Sequence, residues 1–348
     1  VLVPLLLFLV GILALVAGGH VLVDGASTLS RRLGLSSLVI GLTVVAWGTS
    51  APELAVSLRA ALRGQADIAL GNVVGSNVVN VLGVIGASAL LAPLAVSARL
   101  VRLDVPILVG LSAAVYLMAL DRSIGRLDGS LLVLAGLAYT VFVVRTSQVE
   151  PDRGESSPRR TLGASLALVL GGLLLLALGG HLMVESATVM ARAFGVSELV
   201  IGLTVVAVGT SLPEAAASVV AAWRGERDIA VGNAIGSNIF NLAAVLGLTA
   251  LGAGRIAVAP AVLGFDLPVM LAVALVCLPI LFTGQAVARW EGALLLGYYA
   301  AYVVYLVLAS QDHDALPLFS RTMALFVIPL TVLALGVGVW KEYRRRGR

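Results

Sequence analysis

Glu53 and Glu214 each stand inside an apolar run, in the matching stretches GLTVVAWGTSAPE (residues 41–53) and GLTVVAVGTSLPE (residues 202–214). A charge at the middle of a membrane segment costs about 2.5–3.5 kcal/mol on insertion scales, so such acids face a cavity and bind something. A buried ion pair with Arg59 does not explain them, because the position equivalent to Arg59 is Val220. Pro52 and Pro213 carry no N–H and clash with the carbonyl four residues back, freeing carbonyls around Gly48 and Thr49 and around Gly209 and Thr210. Freed carbonyls at membrane depth need water, a side chain or a cation. Thr49 and Ser50 stand four and three residues before Glu53, on its helix face, and Thr210 and Ser211 stand likewise before Glu214. Hydroxyls, carboxylates and loose carbonyls are hard oxygen donors, suited to Ca²⁺ or Na⁺ and poor for softer metals. A plain proline kink with back-bonded Ser and Thr accounts for everything here except the duplicated acid.

The next segment reads DIALGNVVGSNVVN (67–80) and, again, DIAVGNAIGSNIFN (228–241). Asn72, Ser76 and Asn80 recur every fourth residue and form one polar stripe, as do Asn233, Ser237 and Asn241. Amides and hydroxyls in hydrocarbon need partners, so Ser76, Asn80, Ser237 and Asn241 are read as cation ligands. Asn72 and Asn233 fit structural hydrogen bonding equally well. Gly71 with Gly75, and Gly232 with Gly236, read as close-packing positions. Asp67 and Asp228 fit N-caps at helix starts.

The elements that must carry these groups are membrane helices. The chain is 59% hydrophobic and 12% charged, with a mean hydropathy of +1.04. Apolar runs of about 20 residues recur from end to end. The reading is an all-α polytopic membrane protein with spans at 1–29, 35–62, 68–92, 101–120, 129–145, 161–191, 197–223, 229–251, 265–283, 291–309 and 318–340. With the N-terminus outside, the inner side carries 16 of the 23 Lys and Arg residues, which favours N-out and C-in. A shift of 161 residues aligns 41–80 with 202–241 at 26 identical positions. Five spans per copy force the second copy upside down. Inverted repeats with interrupted helices are the secondary-transporter pattern, with the site between the repeats at the bilayer midplane. The expected organisation is a first five-span repeat (1–145), a cytoplasmic linker (146–160), a second, inverted repeat (161–309), and an accessory helix with a basic cytoplasmic tail (310–348).

The remaining features exclude more than they assign. A basic pI near 9.6 comes from arginines between apolar runs and reads as topology, so no nucleic-acid partner is expected. Cys277 is the only cysteine, which excludes a disulfide framework and a thiol metal site. Residues 1–17 lack the basic flank and cleavage site of a secretory signal. Membrane lipid is the one expected partner, with KEYRRRGR (341–348) as a cytoplasmic anchor. No cofactor is called for.

The duplicated stretches GTSAPE…GNVVGSNVVN and GTSLPE…GNAIGSNIFN resemble the two alpha-repeats of the calcium/cation antiporter superfamily, above all its prokaryotic sodium/calcium exchanger branch. The resemblance covers roughly residues 1–309. It implies that spans two, three, seven and eight surround one Ca²⁺ site and several Na⁺ sites, with spans one and six sliding past them to alternate access. It implies Glu53 and Glu214 as the calcium carboxylates. Thr49, Ser50, Thr210 and Ser211, the backbone carbonyls of Ala46 and Ala207, and Ser76, Asn80, Ser237 and Asn241 would complete the sites. Some members carry Asp where this chain has Asn80 or Asn241. Two carboxylates neutralise one Ca²⁺, whereas three Na⁺ would leave one positive charge, which leaves the stoichiometry open. The Gly-Ser-Asn stretch argues against the calcium/proton branch, which usually has a Glu in this part of the helix. Two neighbouring carboxylates nonetheless invite proton competition. The short 146–160 linker cannot hold the calcium-sensing domain of eukaryotic members, so no such regulation is expected.

The function expected is therefore an electrogenic Na⁺/Ca²⁺ antiporter of the inner (cytoplasmic) membrane. A Ca²⁺/H⁺ antiporter on the same scaffold is the alternative. A cation channel is disfavoured because an inverted repeat within one chain points to alternating access rather than a ring-lined pore. An intramembrane hydrolase pairing His20 and His181 with Ser50 and Ser211 would need its dyad twice, on serines that already have a cation role.

Overall fold

A computed structural model describes residues 2–147, 161–194, 207–311 and 313–346. Helix α1 spans Leu2–Leu33, and a bent pair follows, α2 Ser37–Thr49 and α3 Ala51–Leu62. Next come α4 Ala66–Leu91, α5 Leu100–Asp121, α6 Arg126–Arg145 and α7 Leu162–Ala193. The chain continues through α8 Leu212–Trp223, α9 Arg227–Ala253, α10 Val262–Gln285, α11 Arg289–Ser310 and α12 Leu316–Arg345. Among the described residues nine helices are long and apolar enough to cross a membrane, or ten with α2–α3 as one span. The protein is thus an integral multi-pass membrane protein. The expected seventh span, 197–223, is described only from Ala207 onward; α8 is its second part.

The all-helical expectation misses two small strand pairs. β1 Leu94–Ala95 pairs antiparallel with β4 Ala286–Val287, and β2 Ser123–Gly125 with β3 Arg255–Ala257. Each joins a loop of one half to a loop of the other, satisfying backbone groups that a helix end leaves open. Hydrophobic periodicity cannot register strands this short.

Among the described residues the loop contacts fall into two sets. In one, β1 meets β4, Arg289 donates to Leu91 O (3.2 Å), Arg99 donates to Thr146 O (3.0 Å), and Ser36 N donates to Ser147 Oγ (3.3 Å). Arg224, in a further connection, donates to His20 O at 2.9 Å. In the other set β2 meets β3.

Helices α1 and α7 run antiparallel along a seam of glycines. A Cβ on Gly18 would lie 2.9 Å from Leu176 N, and one on Gly172 would lie 2.5 Å from Leu22 N. Only a missing side chain lets the two backbones approach so closely. α4 and α9 form the buried centre, with 72% and 83% of their apolar windows covered by protein. α12 lies outside, hooked to α11 by Tyr298, whose hydroxyl bonds Thr331 Oγ1 at 2.6 Å.

Candidate cation-binding site

The motif GTSAPE does not kink one continuous helix; it ends one helix and begins another. Ser50, at φ −81 and ψ 2, separates α2 from α3, and the two axes differ by 42°. Pro52 then sits in the first turn of α3, where its missing N–H costs nothing. Ser211 (φ −89, ψ 6) and Pro213 do the same at the start of α8. Glu53 and Glu214 therefore lie in the first turns of α3 and α8, where N-terminal backbone dipoles favour negative charge. Both are fully buried.

α4 and α9 carry the Asn and Ser residues past these breaks. Both pass from α-helix into a wide π-helical stretch, Val79–Ile85 in α4 and Asn241–Leu246 in α9. Such stretches often mark functional positions. Asn80 and Asn241 sit within them, so the four-residue stripe read from sequence loosens at its last member.

The two halves interlock across this centre. Ser50 Oγ donates to Glu214 Oε1 at 3.2 Å. Thr49 Oγ1 lies 3.1 Å from Asn233 Oδ1 and 3.4 Å from Ser237 Oγ. Thr210 Oγ1 donates to Asn72 Oδ1 at 3.1 Å. Glu53, Glu214, Thr49, Ser50, Ser76, Asn80, Ser211, Ser237 and Asn241 are all buried, and Thr210 is half-buried. Several of their polar atoms have no hydrogen-bond partner within 3.5 Å among the described residues: both carboxylate oxygens of Glu53, Oε2 of Glu214, the hydroxyls of Ser76 and Ser211, and the amide groups of Asn80 and Asn241. Leaving a buried donor or acceptor unmatched costs about 1–3 kcal/mol, more for a charged group. A cluster of unmatched oxygens around two carboxylates has the chemistry of a cavity for hard cations.

Three sequence readings need adjustment. Ala46 O already accepts from Ser50 N at 3.0 Å and from Thr49 Oγ1 at 3.4 Å, so any cation there shares it with those donors. Ala207 opens the short helix Ala207–Gly209, and its side chain lies outside what is described. Asp67 and Asp228 are not N-caps. Gln65 and Glu226 hold those positions, and both acids fall inside the first turn. The positive-φ glycines Gly64 (75°) and Gly225 (80°) end the preceding helices, and the next ones start two residues earlier than read.

Asn72 and Asn233, left open by sequence, are saturated. Asn72 Nδ2 donates to Glu53 O (3.2 Å) and Ser57 Oγ (2.8 Å); Asn233 Nδ2 donates to Glu214 O (3.2 Å) and Ser218 Oγ (2.9 Å). Ser57 and Ser218 were missed, although each follows its Glu by four residues and is repeated at the 161-residue shift. The duplicated Asn77 and Asn238 were missed as well; Asn238 Nδ2 reaches Asn77 O at 3.1 Å and ties α9 to α4. The hydrolase dyad does not form. His20 packs on Trp223 at 5.7 Å, and His181 pairs with Glu185 at 3.4 Å.

With this geometry in place, comparison with known proteins is informative. The family described as "Sodium/calcium exchanger protein" matches residues 3–145 and 164–308. The chain belongs to the sodium/calcium exchanger family. Within that family, the CaxA protein of Alkalimonas amylolytica is 41% identical over 322 residues, covering 89% of this chain and all of its own. The sodium/calcium exchanger MaX1 of Methanosarcina acetivorans is 35% identical over 345 residues, covering 87% and 98%. A solved structure of the sodium-calcium exchanger NCX_Mj superimposes with a TM-score of 0.77 at 29% identity, covering 87% of this chain and 98% of that one. This family of exchangers consists of cation antiporters, so the chain is a transporter and not an enzyme.

Proposed function

We propose that this exchanger couples Ca²⁺ movement to an opposing Na⁺ flux by alternating access. The observation that carries the reading is the cluster of buried oxygens around Glu53 and Glu214 that find no partner among the described residues. Glu53 and Glu214 supply charge for Ca²⁺. Thr49, Ser50, Thr210 and Ser211, the carbonyls of Ala46 and Ala207, and Ser76, Asn80, Ser237 and Asn241 supply neutral oxygens for Ca²⁺ and Na⁺. The helix breaks at Ser50 and Ser211 serve the function directly, because they expose backbone and hydroxyl oxygen at membrane depth without a full unsatisfied helix end. Two carboxylates balance one Ca²⁺, and exchange for three Na⁺ moves net charge, so the reading is electrogenic. The antiparallel course of α1 and α7 and the sorting of the loop contacts into two sets support an inverted pair, 1–145 and 161–309, joined by the 146–160 linker and followed by the accessory 310–348 segment. The arginine distribution supports N-out and C-in. An inner-membrane location is supported by a relative named inner membrane protein YrbG in Escherichia coli strain K12, 40% identical over 255 residues.

The test is ⁴⁵Ca²⁺ uptake into proteoliposomes loaded with Na⁺, against choline-loaded vesicles at equal pH. The expected result is uptake only with the outward Na⁺ gradient. Uptake driven instead by an outward proton gradient would replace this reading with Ca²⁺/H⁺ exchange.

A further inference from the structure

We propose that Asn72 and Asn233 are positioning residues that aim the threonine hydroxyls of the opposite half, turning each oxygen toward the cation and its proton away. The inference rests on the reading of Thr49 and Thr210 as cation ligands. A hydroxyl has one proton and two lone pairs. At a cation site the proton must be taken by an acceptor elsewhere, or it faces the positive charge.

The amides are built to be that acceptor. Both protons of Asn72 Nδ2 are committed, to Glu53 O and to Ser57 Oγ. Flipping the amide would set Asn72 Oδ1 against the Glu53 carbonyl, two acceptors face to face, so the network fixes the orientation. Asn72 Oδ1 is thereby held toward Thr210, 3.1 Å away. Asn233 repeats the arrangement: Glu214 O and Ser218 Oγ hold its Nδ2, and Thr49 lies 3.1 Å from its Oδ1. Each carboxylate-bearing helix thus sets, through one asparagine, the direction of a ligand in the other half.

Thr49 has further acceptors on its own helix, Val45 O at 3.1 Å and Ala46 O at 3.4 Å, so Asn233 shares the Thr49 proton with them.

The experiment is a double-mutant cycle in proteoliposomes, reading half-saturating Na⁺ and Ca²⁺ separately from maximal rate. Thr210→Val alone and Asn72→Leu alone are each expected to raise one half-saturating concentration by roughly five- to tenfold, the size of one lost hydrogen-bonded ligand. The double variant is expected to be little worse than either. Asn72→Leu with Thr49→Val should multiply the two losses. Thr210→Ser should match wild type when Asn72 is present and be no better than Thr210→Val when it is Leu. Full multiplication in the Asn72/Thr210 pair overturns the proposal. Should Asn72→Leu not assemble, Asn72→Ala removes the same acceptor with less bulk; Thr210→Val must then add little to it, and full multiplication there overturns the proposal too. Equilibrium ⁴⁵Ca²⁺ binding to the same variants separates the two ideas. If wild type binds Ca²⁺ but does not exchange it for Na⁺, the coupling reading fails and the binding cycle still decides the asparagines.

Discussion

Helices α3 and α8 begin with the same break, the same proline and the same glutamate, yet one is open along a face that the other has covered. Ala55 and Val56 on α3 are exposed, Val56 by 37%, whereas Ala217, the counterpart of Val56, is 1% exposed. The cover on α8 is α1, which presses Gly19 to where a Cβ would meet Val220 Cγ2 at 2.9 Å. At the end of this contact Arg224 reaches His20 O (2.9 Å) and Asp24 (3.9 Å), and Ser27 Oγ donates to Glu226 (2.7 Å). On α7 the corresponding His181 and Glu185 are paired with each other among the described residues, with side chains 72% and 67% exposed. The charges for a matching contact are present, since Arg63 stands where Arg224 does. The two ends differ in where the long helices lie and also in residues at the contact itself: Arg59 and Gln65 stand where the covered side has Val220 and Glu226. The duplicated polar cluster sits in an asymmetric enclosure, which fits the proposed carrier held in one of two access states.

The strongest way to break this comparison is at the carboxylates. Glu53→Gln and Glu214→Gln should each lower ⁴⁵Ca²⁺ transport by roughly tenfold or more, since contacts to a charged group are worth about 1.5–3 kcal/mol. An unaffected variant of either kind would show that the centre is not shared between the halves. Access is tested next. In a Cys277→Ser background, Val56→Cys should react with a membrane-impermeant thiol reagent about tenfold faster than Ala217→Cys, because reaction needs an accessible thiolate. Equal rates would remove the asymmetry.

The seam between the halves gives a smaller effect. Gly172→Ala, whose Cβ would meet Leu22 N at 2.5 Å, should cost about 1–3 kcal/mol of stability in a detergent melting assay. Gly171→Ala meets nothing within 4 Å and should melt like wild type. The smallest effect is expected at the tie itself. Arg224 and Asp24 are each about one-third exposed, so Arg224→Gln should cost no more than about 1 kcal/mol. It should still raise labelling of Ala216→Cys by a few-fold, and Arg63→Gln should leave that labelling unchanged.

By itself the sequence determined that the chain crosses a membrane many times, that it is duplicated, and which oxygens stand near one another along each helix. Those properties follow from local composition and fixed spacing: a buried acid is costly wherever it lies, and residues four apart share a helix face. Residues of the first half and the second half come together only in the folded protein. The hydrogen bonds of Ser57 and Ser218 to the two asparagines span 15 residues, the Thr210–Asn72 and Thr49–Asn233 pairs span 138 and 184, and the strand pair Leu94–Val287 reaches further still. No local pattern encodes them. The same holds for the difference between α3 and α8. The motif residues shared by the two stretches do not announce which of them a third helix will cover, because that depends on how α1 and α7 pack against the pair in the tertiary structure.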